Sequence, residues 1–337
     1  MSEKTIPELL HKRVKEHGTR LLFQRRDGWS WKQITWLDFD RKVKNIASFL
    51  MHLGLGRGDR ALIVSSGRLE AISAEMAIFH LGGVIVPLSI DESVEKITQV
   101  ANELNVKLIF IEQGDALEGL LGSLDRIPNV ERIAVFPDAR IKNERIINFK
   151  NILKFGLMHR KKLQDELTQV SNNIDPDAAA AFFVLPGSDK TGVKEISQNE
   201  ILTALEKTSN KHSYLKAEDQ SFSCLTAASP FAKFINYLTL YNANRAAVAE
   251  TRKDFYEDMP EVMPTILFET KGGLEKICEN VLSELNGQSP EKMIRAELGG
   301  RINHIFVDYM PGSDFEILLR KAGVNLAEIP ELTGLVP

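Results

Sequence analysis

Three short apolar runs decide the fold: residues 60–65 (RALIVS), 84–88 (VIVPL) and 107–112 (KLIFIE). The segments between them, 69–81 and 93–104, have apolar residues at helical spacing. Strands that are apolar at almost every position and alternate with helices are typical of a parallel sheet covered on both faces. This stretch therefore predicts an α/β protein with a doubly wound sheet.

Toward the N-terminus, the pattern changes to a hairpin. Residues 20–25 and 28–35 read as two strands that meet at Asp27-Gly28, a favoured pair for a tight turn. The segment 38–53 then places its apolar residues on one helical face. We therefore expect a hairpin and an amphipathic helix ahead of the first parallel strand.

The second half of the chain repeats the alternation of apolar runs and helices. It starts near residue 178, after a charged and largely helical segment over 148–173. We therefore expect two α/β lobes, 1–172 and 173–337, each with a mainly parallel sheet flanked by helices.

Composition narrows the possible functions. The 337 residues include 42 Lys and Arg against 46 Asp and Glu, so the net charge of −4 lacks the basic excess of nucleic-acid-binding proteins. Cys224 and Cys278 are too few for a secreted disulfide framework, and we interpret them as reduced core residues. The N-terminal segment has no signal-peptide pattern, and no apolar run is long enough to cross a bilayer. These features predict a cytoplasmic protein that binds no nucleic acid and has no transmembrane segment.

One basic cluster leaves peripheral membrane contact open. Residues 160–162 (RKK) could touch an anionic membrane surface. Asp165 and Glu166 follow them, however, and a charged run on a helix is more often a solvated face. Peripheral attachment is therefore an alternative to a purely cytoplasmic location.

Five strings share their composition and order with one known family: 29–39 (WSWKQITWLDF), 53–60 (LGLGRGDR), 82–87 (GGVIVP), 264–268 (PTILF) and 298–302 (LGGRI). They resemble the AMP-forming acyl-CoA synthetases of the adenylate-forming superfamily, and the long-chain fatty-acid ligases most closely. The resemblance implies a role in fatty-acid metabolism and the two N-terminal lobes of such a ligase. It also implies that the barrel-like subdomain and the mobile C-terminal domain of full-length members are missing, so that the chain is truncated.

The phosphate-binding loop of that family is degenerate in this sequence. The family motif, (Y)TSGTTGxPKG, corresponds to residues 182–192 (FFVLPGSDKTG). Asp189 would repel a polyphosphate, and the stretch can also be read as an ordinary turn. The resemblance leaves a remnant of the nucleotide site at Gly187, Ser188, Thr191 and Gly192.

A second motif of the family, LPLxH, marks the acyl-binding mouth. It corresponds to residues 225–229 (LTAAS), so Ser229 stands at the histidine position. The resemblance implies an acyl pocket that includes Ser229, Phe231 and Phe234. The alternative is that the apolar stripe of this helix belongs to the core.

The third motif, YGxTE, supplies an adenine-stacking aromatic, a threonine and a magnesium-binding carboxylate. The corresponding residues 330–334 (PELTG) keep only Thr333, and Gly334 cannot bind a metal. The seven histidines show no metal-ligand spacing, and nucleophile-elbow, P-loop and dinucleotide motifs are absent from the sequence. We therefore expect no catalytic residue, no metal site and no cofactor, with ATP and Mg²⁺ relevant only if the chain is an enzyme.

Three functions are compatible with these features. The favoured one is a catalytically degenerate synthetase-like protein, a pseudoenzyme that works as a binding or protein-interaction module. Its partner would be an acyl or CoA-type ligand between the lobes, another protein, or a second copy that covers the end of the second lobe. The alternative is one subunit of a split AMP-forming ligase for fatty acid, ATP and CoA, completed by another chain. A purely structural component with a filled cleft is the third.

Overall fold

The computed structural model describes residues 3–137, 139–185, 191–224, 230–285 and 287–330. Strands and helices alternate along most of this length, as the apolar runs predict. The strands are β1 (Leu21–Asp27), β2 (Ser30–Thr35), β3 (Arg60–Val64), β4 (Val84–Leu88), β5 (Leu108–Glu112), β6 (Arg132–Phe136), β7 (Ile146–Asn148), β8 (Ala179–Val184), β9 (Val193–Ser197), β10 (Gln220–Ser223), β11 (Arg245–Val248), β12 (Ile266–Glu269), β13 (His304–Val307) and β14 (Asn325–Glu328).

The helices begin mostly at Ser or Thr residues whose side chains accept backbone N–H groups of the first turn, as in the capping boxes at Thr5 and Ser197. They are α1 (Ile6–His17), α2 (Trp36–His52), α3 (Leu69–Phe79), α4 (Val94–Glu103), α5 (Asp115–Leu121), α6 (Phe149–Asn172), α7 (Gln198–Lys211), α8 (Pro230–Asn242), α9 (Arg252–Val262), α10 (Lys271–Ser283), α11 (Pro290–Glu297) and α12 (Ser313–Lys321). No helix among the described residues combines the length and the apolar content that a membrane span needs.

The strands form two sheets of seven. The first sheet has the order β7-β6-β5-β3-β4-β8-β9, and the second has the order β14-β13-β12-β10-β11-β1-β2. All neighbouring strands are parallel except β8 with β9 and β1 with β2. The predicted pair of doubly wound, mainly parallel sheets is confirmed.

The sheets do not follow the expected division of the chain at residue 172. The N-terminal hairpin joins the second sheet, where Phe23 lies opposite Ala246. In return, β8 joins the first sheet, where Ala181 lies opposite Ile85. Their positions in the sequence placed the hairpin in the first lobe and β8 in the second, and the strand pairing shows that both placements are wrong. Apolar periodicity shows that a strand is buried, but it contains no information about which sheet covers it.

A layer of helices fills the space between the two sheets. Alternate strand residues point to opposite faces, so Ala61 and Ile63 of β3 enter this central core while Leu62 and Val64 pack under α4 and α5. The central core includes residues of α1, α2, α3, α6, α7 and α8. A third core lies between the second sheet and α9 to α12. The result is five layers, with helices outside each sheet and between them.

One ion pair lies inside the central helix layer. Lys233 of α8 contacts the carboxylate of Glu75 on α3, and both side chains are buried, at 2% and 0% exposure. The Tyr237 hydroxyl donates to Glu75 Oε2 at 2.9 Å, and burial together with that carboxylate raises the pKa of Tyr237 well above its ordinary value. The pair therefore ties α8 to α3 through fully desolvated charges.

Candidate functional site

Doubly wound sheets bind ligands beyond the carboxyl ends of their strands, where the strand order reverses. In the first sheet this point lies between β3 and β4, and in the second it lies between β10 and β11. The loops that leave these strands are 65–68, 89–93 and 249–251, together with the segment that begins at Cys224. We take these loops as the candidate site.

The hydrogen-bond donors of the loop after β3 donate to a carboxylate of the chain itself. Glu112, at the end of β5, accepts the Ser66 backbone N–H at 2.9 Å and the Ser66 hydroxyl at 2.8 Å. The Ser65 hydroxyl donates to the same oxygen at 3.3 Å. Loop N–H and hydroxyl groups at such a position are suited to an anionic ligand, and here they are satisfied internally.

Charged side chains connect the reversal points of the two sheets. Arg68 of the first sheet's loop lies 3.4 Å from Glu112 and 2.8 Å from Glu250, which follows β11 of the second sheet. Arg25 of β1 lies 2.5 Å from Glu250 and 3.5 Å from Glu70 at the start of α3. We call these five residues the interlobe network. It forms a continuous series of opposite charges across the space between the sheets.

Burial affects a sixth charged group next to the interlobe network. Desolvation lowers the pKa of Lys42 on α2, while the nearby Glu70 carboxylate opposes the shift. The Glu70 carboxylate therefore favours the charged ammonium against the cost of its burial.

Two residues of the predicted nucleotide remnant lie where β9 begins. The Gly192 carbonyl accepts the Leu185 N–H at 2.8 Å, which closes the base of the loop between β8 and β9. The Thr191 N–H donates to Glu103 Oε2 at 2.6 Å, and hydrogen bonds from Thr191 hold the pKa of Glu103 below its usual value. A carboxylate is therefore already bound at the end of the loop that would receive phosphate.

Four predicted site residues fall outside the described part of the chain: Gly187, Ser188, Ser229 and Thr333. The other two members of the predicted acyl pocket lie on α8. Phe231 and Phe234 are 3% and 0% exposed and belong to the central core, where the Phe234 ring centroid lies 5.9 Å from that of Phe183. Their burial shows a packing role, and contact with an acyl chain stays a prediction.

Polar groups at the carboxyl ends of β12 and β13 in the second sheet also have hydrogen-bond partners within the chain. Arg252 donates two hydrogen bonds to Glu269 at the end of β12, which raises the pKa of this arginine, and Thr270 N–H donates to Glu269 at 2.8 Å. Asp308, after β13, accepts the Lys271 N–H at 2.7 Å. The N-terminus of α10 is thus capped by internal oxygens.

The cysteine nearest the candidate site is not activated. Burial raises the pKa of the Cys224 thiol to about 11, so the thiolate is scarce at neutral pH. This environment does not suit a nucleophilic role.

A cavity of about 770 Å³ lies away from the candidate site, among α1, α2 and α6. Asp40 and Lys44, which pair at 2.9 Å, line it together with Arg160 and the buried imidazole of His80. The His80 Nδ1–H is assigned as donor to the Met76 carbonyl at 2.7 Å, and burial lowers the pKa of the ring. The imidazole is therefore neutral at physiological pH.

Sequence reasoning missed the residues that dominate this region. Arg25, Arg68 and Glu250 belong to no motif, and their partners lie far away in the chain. One signal was available, because Glu112 and Glu269 end apolar strands and Glu250 follows shortly after the end of β11. Charges at that position point to the ligand-binding edge of a parallel sheet.

The fold agrees with a family comparison. A family model described as AMP-binding enzyme matches residues 10–307. The chain belongs to the AMP-binding enzyme family.

Individual relatives of this family member include ligases and synthases. A long-chain-fatty-acid CoA ligase, ACSBG2 of Xenopus laevis, is 21% identical over 186 residues, which are 55% of this chain and 25% of the ligase. Chalcone synthase cfoA of Aspergillus candidus is 27% identical over 137 residues, which are 38% of this chain and 5% of the synthase. The alignments with these two curated relatives span a quarter of their length or less.

Solved structures give the same fold. A long-chain-fatty-acid CoA ligase, FadD1 of Archaeoglobus fulgidus, superposes with a TM-score of 0.77 at 9% identity. The match covers 97% of this chain and 64% of the ligase. At that identity, the similarity establishes the architecture alone.

Proposed function

We propose that this AMP-binding family member is catalytically degenerate and acts by binding rather than by adenylation. The contact between Glu103 and Thr191 is the observation that carries this proposal. The Thr191 N–H donates to the Glu103 carboxylate at 2.6 Å. A polyphosphate bound at the β8–β9 loop would need this same N–H and would lie next to that carboxylate. Two anions compete for one N–H and repel each other, so the contact disfavours nucleotide binding.

The interlobe network also supports the proposal that the protein does not adenylate a substrate. Its cations are Arg25 and Arg68, and each is already engaged by carboxylates of the chain. Transfer of an adenylyl group depends mainly on free positive charge directed at the phosphates. Because Arg25 and Arg68 are neutralised internally, these two cations offer little free charge to stabilise a transition state.

The ligand in this proposal is an acyl or CoA-type molecule, or a protein that uses the same face. The names of the relatives support the first choice, since ACSBG2 and FadD1 are described as long-chain-fatty-acid CoA ligases. The protein is proposed to work in the cytoplasm and without a metal or nucleotide cofactor.

Nucleotide binding and pyrophosphate release test the proposal directly. We expect calorimetric titration with ATP and Mg²⁺ to give no binding heat, and ATP with a fatty acid and CoA to release no pyrophosphate. Glu103→Gln, which removes the competing charge, is expected to bind ATP more tightly than the wild type does. Glu95→Gln, an exposed change on the same helix, is the matched control. Pyrophosphate release by the wild-type chain overturns the proposal.

The alternative function is a subunit of a split AMP-forming ligase. It rests on the retained scaffold, because 97% of the chain superposes on a ligase with a TM-score of 0.77. Pyrophosphate release that appears only after a separately produced C-terminal part of a related ligase is added would favour this alternative over a binding module.

A further inference from the structure

The exposed face of α6 concentrates positive charge. Successive residues of an α-helix are about 100° apart, which places one set of side chains within an arc of roughly 140° opposite the buried face. Over residues 150–165 this arc, which we call the basic face, holds the side chains of Lys150, Lys154, Lys161 and Lys162, the apolar Leu157 and Met158, and also Asn151 and Asp165. Arg160 lies outside it, on the side that lines the cavity among α1, α2 and α6. The helix contains no acidic residue before Asp165.

Three cations of the basic face have no ion-pair partner among the described residues. No carboxylate there lies at ion-pair distance from Lys154, Lys161 or Lys162, although Asp165 and Glu166 follow within a turn of Lys162. Some exposed cations on other helices do have partners, such as Lys253 with Glu257. The basic face is therefore an excess of charge on a protein whose net charge is −4.

Two large apolar side chains stand among these cations. Leu157 is 68% exposed and Met158 is 67% exposed. They lie about 100° apart around the helix, Leu157 at one edge of the basic face and Met158 within it. An isolated exposed apolar residue needs no explanation, but two on one basic helix surface are typical of segments that lie in the interface of an anionic membrane.

The side of α6 opposite the basic face packs closely against α2. Gly156 lies against the backbone of Asn45 on α2, in space that a Cβ would fill. Phe155 packs on Phe49 and His52, with ring centroids at 5.3 Å and 4.7 Å. The helix is thus anchored by its buried side, and its exposed side chains are presented at fixed positions without a folding step on binding.

We propose that the basic face of α6 docks the protein on an anionic phospholipid surface. The cations attract acidic headgroups, and Leu157 and Met158 enter the boundary between headgroups and acyl chains. An anionic lipid fits better than a nucleic acid because a nucleic-acid backbone offers no apolar layer for these two side chains. This docking does not depend on whether the chain binds or activates an acyl ligand.

Vesicle co-sedimentation of the full chain tests the docking. We expect binding to vesicles that contain phosphatidylserine, no binding to pure phosphatidylcholine, and a loss of binding as salt is raised. Lys154→Gln/Lys161→Gln/Lys162→Gln is expected to weaken binding by somewhat more than about a hundredfold, since each cation near an anionic surface contributes roughly fivefold. Leu157→Ser/Met158→Ser is expected to weaken it about tenfold at unchanged charge.

A matched triple variant controls for net charge. Lys271→Gln/Lys276→Gln/Lys292→Gln removes the same number of exposed cations from α10 and α11, and we expect it to bind as the wild type does. Far-ultraviolet circular dichroism confirms that each variant is folded. Equal binding by the α6 and control triples overturns the proposal, and so does tighter binding of a generic DNA duplex than of phosphatidylserine vesicles.

Discussion

In the interlobe network, five charged side chains with exposures of 12–27% each contact an opposite charge. On the basic face of α6, Lys154, Lys161 and Lys162 stand in solvent with no carboxylate at ion-pair distance among the described residues. The first region uses charge to hold two sheets together, and the second offers charge to something outside the molecule. Removing a charge should therefore affect stability in the first region and binding in the second.

The largest effect is expected at the most buried pair. Lys233→Met leaves the Glu75 carboxylate without its cation in the central core, and an uncompensated buried charge costs about 3–5 kcal/mol. Urea denaturation measures the loss in the free energy of unfolding. The double variant Glu75→Gln/Lys233→Met removes both charges and is expected to recover much of the stability. A single variant as stable as the wild type would contradict the interpretation of Lys233 as a structural charge.

A smaller loss is expected in the interlobe network. Arg68→Met removes the cation shared by Glu112 and Glu250, and because these groups are partly solvated we expect a loss of about 2–3 kcal/mol. Denaturant titration provides the value. Arg320→Met is the matched control, since Arg320 pairs with Glu316 at an exposed site and its loss is expected to cost under about 0.5 kcal/mol. Equal effects of the two variants would remove the distinction between network and surface pairs.

His80 extends the comparison to an interior group that stays uncharged. Burial lowers its folded-state pKa below the ordinary value of 6.5, so the unfolded chain takes up the proton at a higher pH. The contribution of the neutral His80 ring to the free energy of unfolding is fully present above the unfolded-state pKa, and it is lost as the pH falls toward the folded-state pKa. We expect His80→Gln, whose amide can still donate to the Met76 carbonyl, to be less sensitive to acid below pH 6.5 than the wild type. Thermal melts across this range measure the difference, and parallel curves would argue against it.

The smallest effect is expected on the basic face. Lys154→Gln/Lys161→Gln/Lys162→Gln removes three solvated cations with no ion pair to lose, so the free energy of unfolding should change by less than about 0.5 kcal/mol. Denaturant titration beside the Arg68→Met variant provides the contrast. A loss as large as that of Arg68→Met would mean that these cations are structural.

The fold was predictable because its strands correspond to local apolar runs in the sequence. The runs at 60–65, 84–88 and 107–112 became β3, β4 and β5, and the segment 148–173 became α6. Pairing between distant strands has no local signal, and for this reason β1 and β8 were placed in the wrong sheets. Periodicity reports burial, whereas topology depends on contacts across the whole chain.

The sequence could predict site residues only where a motif marks them. Thr191 and Gly192 were predicted through the resemblance of their loop to a phosphate-binding loop, and their role in nucleotide binding stays a prediction. Glu103 and Arg68 were not, because an ion pair or a carboxylate cap depends on side chains that approach only in the folded state. Their positions follow from the packing of the two sheets.

The exchange of strands between the sheets has a consequence during synthesis. Phe23 of β1 pairs beside Ala246, which is 223 residues further along the chain. At roughly 5–20 residues per second, the N-terminal hairpin waits on the order of 10–40 s for β11 to leave the ribosome. During this interval the apolar side chains Leu22 and Phe23 have no sheet to join, so the nascent chain is open to aggregation or to capture by a chaperone.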